Sequence, residues 1–213
     1  MKIYKYENRK DLSEPAPLIY LNVFQGDGSD VSGHLSDLGA PAHTLVVMGD
    51  LNWDEQLSPW AAEPLFDGDN FTGGADEYLA ELAKIIGAEE ETPAWRGIAG
   101  YSLAGLFALY AACRTDLFSG IVSASGSMWF PGFTEYLREN PPRIKSAYLS
   151  LGGKESKTKN PVMATVEDKT REVRTILDSS GILTKLEMNP GGHFREPALR
   201  TAKGIDWLLR NTR

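Results

Sequence analysis

One serine carries the residue types that could do chemistry. Ser102 stands in Gly100-Tyr101-Ser102-Leu103-Ala104-Gly105, after an apolar stretch beginning at Arg96 and before a run of apolar and small residues ending at Ala112. That pattern predicts a strand, a sharp turn and a buried helix, with the serine hydroxyl at the apex. Small residues belong on both sides because the turn brings backbone against backbone. The usual glycine two places after the serine is replaced by Ala104.

A serine hydroxyl is a weak nucleophile until a base takes its proton and an acid orients the base. The chain has three histidines, of which His34 and His43 precede the serine. His193 lies in the glycine-rich Asn189-Pro190-Gly191-Gly192-His193-Phe194, where an imidazole can swing back over the edge of a sheet. The acid is expected between serine and histidine, at another strand end. Glu155 fits, because it follows Gly152-Gly153 after an apolar run, and Ser102, Glu155, His193 is the chain order such sites use. Lys154, Lys157 and Lys159 surround it, so a surface ion-pair cluster is the competing reading; Glu167 and Asp168 are the fallback acids.

Acyl transfer also needs donors for the developing oxyanion. The backbone N–H of Leu103, first in the helix after the serine, is one. The second is expected in Gln25-Gly26-Asp27-Gly28, whose glycines let the backbone turn inward; the N–H of Asp27 is the nominee, against the plain alternative of a glycine turn. Trp53, Trp60, Trp129 and Phe130 fall in strand-end loops, where they either line an acyl or aryl pocket or pack the loops down.

The elements that must position these groups follow from periodicity. Met1–Tyr6 alternates like an edge strand. Leu18–Phe24 and Thr44–Met48 are continuous apolar runs, as strands buried on both faces require. Residues 51–74 carry Trp53, Trp60, Phe66 and Phe71 without a clear period, and are expected to pack over the sheet edge and wall a pocket. Ala75–Ile86 has helical spacing, and Glu89-Glu90-Glu91 reads as a solvated corner. Beyond Ser102, strands are expected at 121–125, 146–151 and 182–188, and helices at 134–139, 166–180 and 198–210, the last burying Leu199, Ile205, Leu208 and Leu209. Strands alternating with helices imply an α/β architecture: a mostly parallel central sheet with helices on both faces, a three-layer sandwich spanning 1–213 as one domain. Ligands bind such sheets at the carboxyl ends of the strands, where every residue named above falls.

Composition bounds the function classes. The chain has 213 residues, 42% of them hydrophobic, enough for one sizeable core. A net charge of −7 disfavours nucleic acid or an anionic membrane surface as partner. No apolar run is long enough to span a bilayer and the N-terminal residues lack a signal-like apolar core, so a cytoplasmic protein is expected. The lone Cys113 allows no internal disulfide or metal cluster, and fits a small buried hydrophobe.

Taken together, RGIAGYSLAG around Ser102, NWDEQLSPW at 52–60, SASGSMWF at 123–130, SLGGKE at 150–155 and PGGHF at 190–194 resemble the α/β-hydrolase superfamily. More narrowly they are similar to the esterases grouped with esterase D and the enterobactin-esterase-like proteins. The resemblance implies the α/β-hydrolase fold and hydrolysis of a small-molecule carboxylic ester with no metal and no organic cofactor. It carries over Ser102 as nucleophile and His193 as base, with Glu155 as acid. Gln25-Gly26 stands where such enzymes commonly have histidine-glycine. An acyltransferase or thioesterase on the same residues, or a ligand-binding homologue without catalysis, would share these motifs.

Overall fold

The computed structural model describes every residue except 10, 12, 66, 90, 91 and 213. Phe66, Glu90 and Glu91 therefore lie outside the described residues. The strands are β1 (Lys2–Asn8), β2 (Leu18–Asn22), β3 (His43–Gly49), β4 (Arg96–Tyr101), β5 (Gly120–Ala124), β6 (Ser146–Gly152) and β7 (Leu183–Asn189). The α-helices are α1 (Ser29–Asp37), α2 (Trp53–Leu57), α3 (Ala75–Gly87), α4 (Leu103–Arg114), α5 (Phe133–Glu139), α6 (Val166–Ser179) and α7 (Pro197–Asn211).

The strands form one sheet in the order β1-β3-β2-β4-β5-β6-β7. Only β1 runs antiparallel, against β3; the other pairings are parallel. Side chains along a strand alternate between faces, and here both faces are dry. Leu18, Tyr20, Val46 and Met48 pack with α3 and α4, while Ile19, Leu21, Leu45 and Val47 pack with α1 and α7. That two-sided burial explains why β2 and β3 read as unbroken apolar runs. The expected mostly parallel sheet between two helical layers is the architecture observed.

Two elements were not legible. The segment after β2, expected as an open turn, continues into α1, which buries only Val31 and Leu35. The long segment after β3 begins with the short helix α2, whose Leu57 is buried. Among the described residues no helix is long and apolar enough to cross a membrane. Cys113 packs against the core, and burial pushes its thiol up to about 12.

The topology also locates a crevice. From β2 the chain moves one way to β3, then returns to place β4 on the other side of β2. The connections leaving β2 and β4 thus diverge to opposite faces, and the gap between their carboxyl ends is where open α/β sheets accept ligands.

Candidate active site

The turn between β4 and α4 holds Ser102 at φ 58°, ψ −123°, a left-handed conformation that a non-glycine residue adopts only when its surroundings enforce it. The enforcement is visible. The Ser102 N–H donates to the Ala124 carbonyl at 3.0 Å, and its own carbonyl accepts from Gly105, Leu106 and Ser127 N–H groups at 3.0, 3.2 and 3.1 Å. A Cβ on Gly100 would lie 2.4 Å from the Ala104 carbonyl group, so only glycine lets α4 start that close to β4.

His193, in the loop after β7, reaches back over the sheet edge as expected. Its Nε2 lies 3.0 Å from Ser102 Oγ and its Nδ1 lies 2.8 Å from Glu155 Oε2. Glu155 is not part of a lysine cluster: its side chain is 3% exposed and faces inward. Oε1 accepts from Ser125 Oγ at 2.8 Å, the Gly152 N–H at 2.6 Å and Arg200 Nη1 at 3.1 Å. Burial pushes this carboxyl up, but the hydrogen bonds from His193, Ser125 and Gly152 outweigh it and hold it below the ordinary glutamate range. The fallback acid Glu167 instead pairs with Arg171 on α6 at 2.8 Å.

Three residues of this cluster were missed from sequence. Arg200, on α7, is 2% exposed. Besides Glu155 it donates to Ser125 Oγ and Tyr101 Oη at 3.1 and 3.2 Å, and to the carbonyls of Pro190 and Gly192 at 2.9 and 3.1 Å. It thereby ties the loop carrying His193 to the acid. Tyr101 donates its hydroxyl to the His193 carbonyl, and Ser125 holds a left-handed φ of 46° that turns its hydroxyl toward Glu155. A signal for Arg200 existed: counting back in fours from Leu208 passes Gly204 and lands on it, within the buried stripe of α7, whereas Leu199 is half-buried.

The cleft beside Ser102 encloses about 590 Å³. Ser102, His193, Val23, Phe24, Gln25 and Trp53 are among its lining residues. The N–H of Leu103 opens α4, where no intrahelical acceptor exists. Asp27 requires a correction. It does not line the cleft; its carboxylate turns back to accept the Ser29 N–H at 3.0 Å, between Gly26 and Gly28 at φ 84° and 79°. The wall is built by the residues before it. The Val23 N–H is taken by the Met48 carbonyl at 3.1 Å, while the Phe24 N–H has no acceptor among the described residues.

Of the aromatics expected to line the pocket, only Trp53 does. Trp60, Trp129 and Phe130 lie outside the cleft, in a cluster that packs loops onto α4 and α5. Trp60 stacks on Phe133 and donates its indole N–H to the Pro131 carbonyl at 3.0 Å, and Trp129 and Phe130 both meet Phe71 edge-on. Their chain spacing placed them near strand ends, but rings this large are more stable against one another than facing solvent. Among the described residues no group of three His, Cys, Asp or Glu could hold a metal ion.

Known proteins resemble this chain in family and in fold. The Esterase family model matches residues 46–195. The uncharacterized protein YbbA of Bacillus subtilis is 24% identical over 92% of this chain and 87% of its own. An IroE-like serine hydrolase from Shewanella oneidensis superposes with a TM-score of 0.74 at 21% identity, covering 92% of this chain and 71% of that one. Siderophore hydrolase EstA from Aspergillus nidulans gives 0.67 at 17% identity, over 98% and 94% of the two chains.

Proposed function

The chain belongs to the Esterase family, and from that premise we propose that it is a serine hydrolase cleaving carboxylic esters through Ser102, His193 and Glu155. The observation that carries the reading is the unbroken run of contacts, 3.0 Å from serine to histidine and 2.8 Å from histidine to glutamate, at the carboxyl edge of the sheet. His193 Nε2 accepts the proton of Ser102 Oγ as the oxygen attacks the ester carbonyl. Glu155 accepts the hydrogen bond from Nδ1–H, which fixes the tautomer with its lone pair on Nε2 and stabilises the imidazolium that forms. The Leu103 and Phe24 N–H groups are the donors for the oxyanion, in place of the Asp27 first nominated. The imidazolium returns its proton to the departing alkoxide. Water, deprotonated by His193, then attacks the acyl-serine and frees the acid by the same steps in reverse.

The left-handed turn at Ser102 has a chemical use: it aims the hydroxyl outward while leaving the N-terminal N–H groups of α4 uncovered. Ser102→Ala should fold as the parent does, judged by its melting temperature. It should lose turnover of p-nitrophenyl acetate by at least about 10³-fold, together with covalent labelling by a fluorophosphonate. Undiminished turnover, or labelling that persists, would overturn the assignment.

A further inference from the structure

The charge of the cleft separates substrates that the reacting residues alone would not. Asp30, in the first turn of α1, and Asp54, in the first turn of α2, both line the cleft, and no lysine or arginine does so among the described residues. The cations nearest in sequence to His193 are committed elsewhere. Arg195 turns to Glu196 at 3.5 Å, and the Arg200 guanidinium is buried behind Glu155. The rest of the wall is mostly apolar, with Asn22, Gln25 and Thr201 as uncharged polar side chains beside the reacting Ser102 and His193. Phe24 is 59% exposed and edge-on to Trp53, with ring centroids 5.2 Å apart. Phe194, also in the lining, is 92% exposed and edge-on to the His193 ring.

Exposed rings flanking a cleft mark a surface that gains by being covered with apolar matter. Two carboxylates without a compensating cation act against any anion brought beside them. We infer that the cleft takes esters with an apolar, uncharged body, seated against Phe24, Trp53 and Phe194, and that Asp30 and Asp54 exclude esters carrying a carboxylate. The inference rests on the esterase reading for its substrate but not for its charge preference. The reaction is the same acyl transfer, so only binding and its effect on kcat/KM are at issue. Asp54 also accepts the Asn70 N–H at 3.2 Å, which orients the carboxylate without neutralising it.

The test uses two matched pairs. One sets the charge on the acid side, 4-nitrophenyl hexanoate against mono-4-nitrophenyl adipate. The other sets it on the alcohol side, 3-carbamoylphenyl hexanoate against 3-carboxyphenyl hexanoate. The neutral member should be favoured in kcat/KM by about tenfold or more in at least one pair, and Asp30→Asn with Asp54→Asn should shrink that ratio. Ratios near one in both pairs, or a preference for the anion, overturn the inference. A second arm measures binding of N-(3-carbamoylphenyl)hexanamide and N-(3-carboxyphenyl)hexanamide to Ser102→Ala by ligand-observed NMR. Should no ester be turned over and Ser102 not be labelled, the esterase reading fails, and this arm alone decides: tighter binding of the neutral amide upholds the charge preference, and equal or reversed binding overturns it.

Discussion

At the scale of single residues, Glu155 shows how a buried charge can be held in place. Its two oxygens serve different ends: Oε2 faces His193, while Oε1 collects Ser125, the Gly152 N–H and Arg200. Replacing it by Gln keeps the shape but removes the counter-charge of a buried arginine. Breaking a buried pair from one side costs about 3–5 kcal/mol, so Glu155→Gln should melt well below the parent at neutral pH. It should also lose at least about 10²-fold in kcat, because the histidine then loses its orienting acceptor. The pH dependence has a definite sign. Folding holds the Glu155 carboxyl below its unfolded value, so its stabilisation is fully present above the unfolded pKa of about 4.3 and is lost as pH falls through the folded value. The stability gap between parent and variant, followed by denaturant titration, should stay open down to about pH 5 and close in more acid solution. A gap that persists unchanged into strong acid would mean that Glu155 is not the charged partner of this cluster. Its place beside His193 was readable because the serine, the glutamate and the histidine follow one another at strand ends in a fixed order. Arg200 was not, since charge normally argues against burial and only its partners, distant in sequence, reverse that.

At the scale of the element, the β4–α4 turn depends on which small residue stands where. The alanine at 104 departs from the usual pattern, yet the structure puts the critical constraint at 100. An added methyl at Gly100 would meet the carbonyl group of Ala104 at 2.4 Å, and backbone cannot rotate away as a side chain can. Gly100→Ala should therefore push α4 off the sheet, destabilise by about 1–3 kcal/mol or more, and misplace Ser102. Ala104→Gly removes a buried methyl and adds helix entropy, a cost of about 1 kcal/mol with the turn preserved. Thermal melts and ester turnover on the two variants should rank them in that order; a Gly100→Ala protein with parental values would contradict the packing argument. The strand–turn–helix was legible because small residues and an apolar run leave few other solutions. Helix α1 was not: Ser29–Asp37 shows only Val31 and Leu35 at helical spacing and has Gly33 at its centre. What holds it is the apolar surface of β2, β3 and α7, which no local pattern reveals. Trp53 lines the cleft as expected, but the other aromatics expected there from the 51–74 and 126–133 segments failed for the same reason. Trp60, Trp129 and Phe130 find their partners in each other, while Phe24, at the end of an apolar run, joins Trp53 in lining the cleft.

At the scale of the whole molecule, the alternation of strands and helices announced a parallel sheet, but not the order of its strands. The reversal between β2 and β4 brings the loop after β2 to the cleft beside Ser102, where the segment after β3 adds Trp53 and Asp54. That placement brings α1, and with it Asp30, to the cleft. The local carboxylates then act in the same direction as the net charge of −7. The two contributions differ in range. Screening lengths fall from about 30 Å at 0.01 M salt to about 10 Å at 0.1 M, so the field of the distant charges fades with added salt before that of charges beside the substrate. For mono-4-nitrophenyl adipate, kcat/KM should rise about threefold or more between 10 mM and 300 mM sodium chloride, whereas 4-nitrophenyl hexanoate should change by less than about twofold. The residual preference at high salt reports Asp30 and Asp54 and should fall when both are replaced by Asn. If the anionic ester shows no salt dependence at all, the acidic surface does not extend its influence into the cleft, and selection rests on the wall alone.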